Sequence, residues 1–216
     1  MVVEFSKQFS LVNEWINELR NVEVQNDRMR FRRNMERIGE IAAYEISKEL
    51  ETRETIIQTP LDKISSVEIA VQPVITTILR AGVPLFQGLL NYFDKADAGF
   101  VAAYRKHDAN DYFSIKQDYL TCPDIENRPL IVADPMLATG ASLVEAIKDL
   151  LNNGTPSQLH IVVAIASEEG VKMIEAQFPQ AKIWAGVIDK HLTDKGYITP
   201  GLGDAGDLSF GQKLQR

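Results

Sequence analysis

Asp134, Thr139 and Ser142 fall in one short stretch, Leu-Ile-Val-Ala-Asp-Pro-Met-Leu-Ala-Thr-Gly-Ala-Ser, from Leu130 to Ser142. An apolar run ends in an acid and a proline, then meets Thr-Gly where a helical pattern begins. In open α/β sheets, ligands bind beyond the carboxyl ends of the strands. A loop at that place offers backbone N–H groups, two hydroxyls and the positive end of a helix, which together suit a phosphate. Gly140 would let the backbone come close to the anion. Asp134, at the end of the strand, could accept hydrogen bonds from sugar hydroxyls. No lysine follows at the spacing of a Walker A loop, so that class is excluded. A plainer reading makes Asp134-Pro135 a turn and Thr139 the N-cap of the helix. From these residues alone, both readings stand.

Two arginines occupy comparable junctions. Thr76 to Leu90 reads as a strand, then Arg80-Ala81-Gly82, then a helix starting near Pro84, with proline and glycine placed as helix entry favours. Arg80 could hold an anion there, although a lone arginine in a turn is more often a solvated surface residue. Arg105 closes the apolar run Ala98 to Arg105. By itself it could equally be an ordinary charge at the end of a strand.

Gly201 to Gly206, Gly-Leu-Gly-Asp-Ala-Gly, satisfies the pattern G-x-G-x-x-G. A dinucleotide site also needs a strand before it, a helix after it and an acid about 20 residues further on. The sequence after Gly206 is too short for that unit. The wider stretch Gly196 to Gly211 has five glycines and reads as irregular backbone. Tyr197, Ile198, Leu202 and Phe210 are nonetheless unusual for a disordered tail.

Asp134-Pro135-Met136-Leu137-Ala138-Thr139-Gly140 resembles the loop that binds phosphoribosyl diphosphate (PRPP) in the type I phosphoribosyltransferases. Its Asp-Pro form is similar to that of the uracil phosphoribosyltransferase family. Ile78 to Gly82 resembles that family's pyrophosphate-binding loop, and Tyr104-Arg105 its PRPP-contacting pair. Gly196-Tyr197-Ile198 with Pro200 to Asp207 resembles its uracil-binding hood. The four motifs keep the family's order and span nearly the whole chain in outline.

The resemblance implies transfer of a phosphoribosyl group from PRPP to uracil, giving UMP and diphosphate in pyrimidine salvage. It implies that PRPP meets Arg80, Arg105, Asp204 and the loop Asp134, Pro135, Met136, Leu137, Ala138, Thr139, Gly140, Ala141 and Ser142. Uracil would meet Ile198, Gly203, Asp204 and Ala205. Asp134, Asp204 and Arg105 would serve the chemistry. Mg²⁺ would be carried on the diphosphate rather than ligated by the protein. Uracil offers an N3–H between two carbonyl acceptors, which rigid backbone can complement, whereas cytosine would leave groups unpaired.

Two positions depart from the family pattern. Ala141 stands where Thr-Gly-Gly-Ser is usual, and Leu208 where many members carry a basic residue. An alanine costs about 1 kcal/mol if that backbone needs a positive φ, and is acceptable inside a helical turn. Two other functions remain open at this point: a phosphoribosyltransferase for another base, and a non-catalytic sensor of PRPP or UMP.

Elements must then position these residues. Ser6 to Arg20 reads as one amphipathic helix, and the first fifty residues as helical. Phe31, Met35, Ile38, Ala42, Ile46 and Leu50 keep a three-to-four spacing on a second helix. Short apolar runs beginning near Glu54, Val74, Ala98, Pro129, Leu159 and Ala181 read as strands. Helical stripes at Leu143–Leu151 and Ser167–Phe178 lie between some of them. This alternation predicts an α/β fold with a mostly parallel sheet flanked by helices. N-terminal helices, a projecting hairpin arm over about 106–122 and a C-terminal hood over about 189–216 complete the expectation of a single domain.

Composition narrows the function classes. The chain has 216 residues, 23 Lys and Arg against 30 Asp and Glu, and a net charge of −7. That balance disfavours a broad nucleic-acid-binding role. Cys122 is the single cysteine, which suits a reducing compartment. No apolar run approaches a membrane span and no signal peptide is recognised, so a cytoplasmic protein is expected. His107, His160 and His191 have no metal-ligand spacing. Trp15 and Trp184 read as core or interface residues. Arg28, Arg30, Arg32, Arg33 and Arg37 read as a solvated or subunit-contacting face. The resemblance adds a homo-oligomer, dimer or tetramer, and GTP as an effector that this arginine cluster could hold.

Overall fold

The computed structural model describes residues 1–107 and 113–213, with side chains described outside 103–118. Val2–Glu4 forms β1, an edge strand, and α1 spans Leu11–Arg20. The expected continuous helix from Ser6 is therefore corrected. Ser10 starts α1, because its Oγ accepts from the Val12 N–H at 3.3 Å while Asn13 Oδ1 accepts from the Ser10 N–H at 2.9 Å. This reciprocal cap ends the preceding chain direction and fixes the start of the helix. Helix α2, Arg28–Ser47, is capped by Asp27 and buries Phe31, Met35, Ile38, Ala42 and Ile46, as its spacing predicts.

β2 (Thr52–Gln58) and β3 (Lys63–Ile69) pair antiparallel as a separate two-stranded hairpin. The run from Glu54 is a strand as expected, but it lies outside the main sheet. A strand covered on both faces needs a near-continuous apolar run. This hairpin instead mixes Arg53, Glu54, Lys63 and Glu68 with Ile56, which is 71% exposed.

The remaining elements are β4 (Val74–Leu79), α3 (Val83–Tyr92), β5 (Asp97–His107) and β6 (Phe113–Thr121). They continue with β7 (Pro129–Ala133), β8 (Met136–Leu137), α4 (Ala141–Leu150), β9 (Gln158–Ser167) and α5 (Glu168–Gln177). β10 (Lys182–Asp189), β11 (His191–Leu192), β12 (Ile198–Thr199) and α6 (Ala205–Phe210) complete the order. The sheet runs β1-β10-β9-β7-β4-β5-β6, with β8 also paired to β9. Its pairs are parallel except β5 with β6. That antiparallel pair is the expected arm's hairpin; residues 108–112 of it lie outside the described residues.

Two cores follow from the period-two alternation of the buried strands. Ile131, Ala133 and Val162 join Leu19, Met35 and Leu85 of the N-terminal helices and α3 on one face. Leu130, Val132 and Ile161 join Ile147 of α4 and Ile174 of α5 on the other. The alternation slips at Ala164 and Ile165, whose N–H groups both reach the Pro135 carbonyl, at 3.1 and 3.0 Å. The loop after β7 is thereby tied to the middle of β9. No helix among the described residues is long and apolar enough to cross a membrane.

Candidate functional site

A cavity of about 820 Å³ opens at the carboxyl ends of β4 and β7. The C-terminal segment from Gly196 to Lys213 forms its other wall. The two walls meet directly: a side-chain carbon at Gly196 would sit 3.5 Å from Thr139 Cγ2. The stretches singled out at Arg80, Asp134 and Gly196 therefore converge on one cleft.

The loop after β7 is more ordered than a free turn. The Asp134 N–H donates to the Val162 carbonyl at 3.1 Å, and Met136–Leu137 pair with Ile165 and Ala166. Ser167 Oγ donates to the Ala138 carbonyl at 2.6 Å. Asp134, Pro135, Met136, Leu137, Ala138, Thr139, Gly140 and Ser142 line the cavity, whereas Ala141 does not. Leu137 is buried, so its side chain anchors the loop in the core.

Thr139 precedes the N-cap position, and its Oγ1 accepts from the Ala141 N–H at 3.4 Å. Gly140 takes the N-cap position at φ +84 and ψ −15, and α4 starts at Ala141. Glycine adopts that left-handed turn at little cost, and Ser142 and Leu143 in the first turn of α4 line the cleft. Ala141 lies in ordinary helix and outside the positive-φ set, so its departure from the usual glycine carries no backbone penalty.

Arg80 leaves the end of β4 on a turn whose tightness is set by Gly82. A side-chain carbon there would collide with Thr77 Oγ1 and come within 2.9 Å of the Ala133 carbonyl. Arg80 is exposed; its Nη2 donates to Asp207 Oδ1 at 3.3 Å and to the Gly211 carbonyl at 3.4 Å. Arg105 is placed on β5 opposite Ile115, and its side chain lies outside the described ones.

On the C-terminal wall, the expectation of irregular backbone is corrected for α6. Asp204 caps this helix, its Oδ1 accepting from the Asp207 N–H at 3.0 Å. Its Oδ2 accepts from Lys213 Nζ at 3.0 Å. Burial alone would raise the Asp204 carboxyl. The Asp207 N–H, the Lys213 ammonium and the Gly206 N–H outweigh it and hold the carboxyl below its ordinary value. Asp204 thus presents a carboxylate at neutral pH. Ile198 and Ala205 line the cleft although they are 5% and 2% exposed, while Gly203 is open to solvent.

Asp207 and Lys213 are site residues that sequence reasoning missed. Asp207 lay within the quoted glycine-rich motif. A lone lysine beyond it carries no sequence signal, because only α6 folds it back onto Asp204. Among the described residues, no three His, Cys, Asp or Glu side chains gather to hold a metal ion.

Comparison with known proteins agrees with this arrangement. The family profile described as "UPRTase: Uracil phosphoribosyltransferase" matches residues 6–212. A uracil phosphoribosyltransferase of Porphyromonas gingivalis is 45% identical over 214 residues, covering 99% of each chain. One from Thermococcus gammatolerans is 37% identical over 207 residues, covering 94% of this chain and 91% of its own. The solved structure of the AQ2163 protein from Aquifex aeolicus superposes with a TM-score of 0.88 at 30% identity, over the whole of both chains. A profile match across most of the sequence, with relatives of this identity and coverage, places the chain in the uracil phosphoribosyltransferase family.

Proposed function

We propose that this chain, by family a uracil phosphoribosyltransferase and so a pentosyltransferase, moves the phosphoribosyl group of PRPP onto N1 of uracil in this cleft. The bond from ribose C1′ to the diphosphate oxygen breaks, the C1′–N1 bond forms, and the N1 proton is released, giving UMP and diphosphate. The observation that carries this reading is the meeting of the Thr139 loop with the glycine-rich wall at Gly196. A sugar phosphate seated in the first would lie beneath a base held by the second.

The residues divide the work. Ala138 to Ser142, with the start of α4, suit the 5′-phosphate, and Asp134 suits the ribose hydroxyls. Arg80 and, by the family's pattern, Arg105 suit the diphosphate as it takes up charge. Backbone at Ile198, Gly203 and Ala205 suits the uracil edge. The Asp204 carboxylate suits stabilisation of an oxocarbenium-like ribose or receipt of the N1 proton. Catalysis then rests on positioning and preorganised charge.

The carboxylates of the cleft fit Mg²⁺ that arrives on diphosphate oxygens better than a protein-caged ion. Asp204 and Asp207 already hold cations, and Mg²⁺ commonly binds through one or two carboxylates plus substrate phosphates. When bound, the ion neutralises the diphosphate as leaving group. The deciding experiment measures UMP from uracil, PRPP and Mg²⁺, with cytosine and orotate as controls. Equal turnover of a control base, or binding without UMP, overturns the reading.

A homo-oligomer belongs to the same proposal, supported by the isolated hairpin β2–β3 with exposed Ile56, Ile64 and Val67. Light scattering on a sizing column decides it, and a monomer at micromolar concentration refutes it. GTP as an effector rests on the family resemblance, with the arginine cluster as its suggested site. Arg30 pairs with Glu18, and Arg33 with Glu36 and Glu40, so a nucleotide would have to displace these pairs. A uracil assay without GTP response ends that part.

A further inference from the structure

Behind the C-terminal wall lies a partly buried ion pair that the proposed chemistry does not use. Asp189 ends β10 and is 7% exposed; Arg20 ends α1 and is 20% exposed. Arg20 Nη2 donates to Asp189 Oδ1 at 2.7 Å. The other carboxylate oxygen, Oδ2, accepts from the Gly201 N–H at 2.9 Å. One carboxylate therefore joins an N-terminal helix, the end of β10 and the backbone just before Gly203. A second tie lies beside it: Gln25 Nε2 donates to the Leu19 carbonyl at 2.9 Å and to the Leu202 carbonyl at 3.2 Å.

Apolar contact also holds this wall, since Ile198, Leu202 and Ala205 are buried in the core shared with α1 and α2. Burial of that kind is non-directional and tolerates a sliding backbone. A backbone that must meet the edge of a base cannot slide, because a misplacement of about 1 Å can cost orders of magnitude in reaction. The directional bonds at Gly201 and Leu202 bracket the chain immediately before Gly203, Asp204 and Ala205. We infer that Asp189, held by Arg20, is a positioning residue for base recognition: it fixes the backbone that reads the pyrimidine and acts on uracil more than on PRPP, most of whose expected contacts lie on the Arg80 and Asp134 loops. This rests on the reading of the C-terminal wall as the uracil site.

Asp189 is suited to this because a carboxylate offers an acceptor to each of two donors. An amide offers one acceptor and one N–H₂ group, which would face either the guanidinium or the Gly201 N–H. The test compares Asp189→Asn, Arg20→Gln and the conservative Arg20→Lys, each checked for folding by circular dichroism and melting. Asp189→Asn and Arg20→Gln should raise the KM for uracil about tenfold or more, the loss expected for one charge-assisted bond. They should leave the KM for PRPP within about twofold, narrow the preference for uracil over cytosine, and be partly rescued in Arg20→Lys. Gln25→Ala gives a second, milder perturbation should Asp189→Asn fold poorly.

Hydrogen exchange of the parent enzyme with and without uracil and PRPP separates the two layers. If residues 198–206 gain no protection from uracil, the uracil-site reading fails and takes this inference with it. If they are protected, yet folded variants keep the parent KM for uracil, Asp189 and Arg20 are merely structural and only this inference fails. Equal rises in both KM values also overturn it.

Discussion

Exchanging alanine and glycine at two adjacent positions should have opposite consequences. Gly140 sits at φ +84, where an L-residue costs about 1–2 kcal/mol. A side-chain carbon there would also meet Met173 Cγ at 3.0 Å and Cβ at 3.1 Å. Rotation of the methionine side chain can relieve the Cγ contact, whereas Cβ is fixed to the α5 backbone and has to give by a few tenths of an ångström. Gly140→Ala is therefore expected to lose about 2 kcal/mol, a fall in Tm of about 4–8 °C for a domain of this size. Because Gly140 lines the cleft at the mouth of α4, the same change should raise the KM for PRPP about tenfold or more. Ala141→Gly removes a side chain from ordinary helix and should cost at most about 1 kcal/mol, with little effect on either KM. Melting curves and UMP formation at varied PRPP and saturating uracil measure all of this. Parent-like Tm and KM in Gly140→Ala, or greater damage from Ala141→Gly, would refute the assignment of the left-handed cap.

Three further perturbations test other parts of the site. Arg80→Ala should raise the KM for PRPP about tenfold while melting within about 1 kcal/mol of the parent, because the pair with Asp207 is solvent-exposed; an unchanged KM would remove Arg80 from diphosphate binding. Asp204→Asn should lower kcat more than either KM. Since the Asp204 carboxyl titrates below its ordinary value, parent turnover should keep the contribution of this carboxylate until the pH falls through that depressed value; full turnover in the variant sinks the role. His160 is buried, with the Lys182 ammonium nearby and Glu49 only partly opposing, and its pKa falls to about 4. Its folded-state value lies below the ordinary 6.5, so neutral His160 stabilises the fold above pH 6.5 and that contribution drains away toward pH 4. The full loss is about 3 kcal/mol, with a slope of at most about 1.4 kcal/mol per pH unit. Urea titrations across that window should show the slope in the parent and not in His160→Phe.

The buried strands were legible because both faces of the sheet are covered, which forces continuous apolar runs such as Pro129–Ala133. β2 and β3 look similar over short windows, and only tertiary context leaves Ile56 exposed. Val2–Glu4 is too short to show any period; its pairing with Ile183 and Ala185 gives it strand form. At the site, Arg80, Asp134 and Asp204 were legible through the motifs around them. Thr139 was expected to start the helix, whereas the left-handed turn at Gly140 takes the N-cap position and α4 starts at Ala141. Lys213, Asp189 and Arg20 left no trace in sequence. Their roles arise from contacts across Asp204 and Gly201 that no local spacing encodes.

The contacts of Asp207 have a consequence for how the cleft accepts so anionic a substrate. Among the described residues lining it, two cations, Arg80 and Lys213, face three carboxylates, Asp134, Asp204 and Asp207. The cations are held by carboxylates of the same wall, Arg80 on Asp207 and Lys213 on Asp204. A diphosphate that recruits Arg80 must draw it away from Asp207, and Mg²⁺ carried on the diphosphate eases the repulsion from that carboxylate. Asp207→Asn removes one opposing charge and loosens Arg80. It should tighten PRPP binding and lower the Mg²⁺ concentration at half-maximal binding, by about two- to tenfold for a partly exposed charge. Calorimetric titration of PRPP at stepped Mg²⁺ measures this without turnover. Weaker binding in a folded Asp207→Asn would mean that the carboxylate aligns Arg80 for the substrate rather than restraining it, and the charge argument would be reversed.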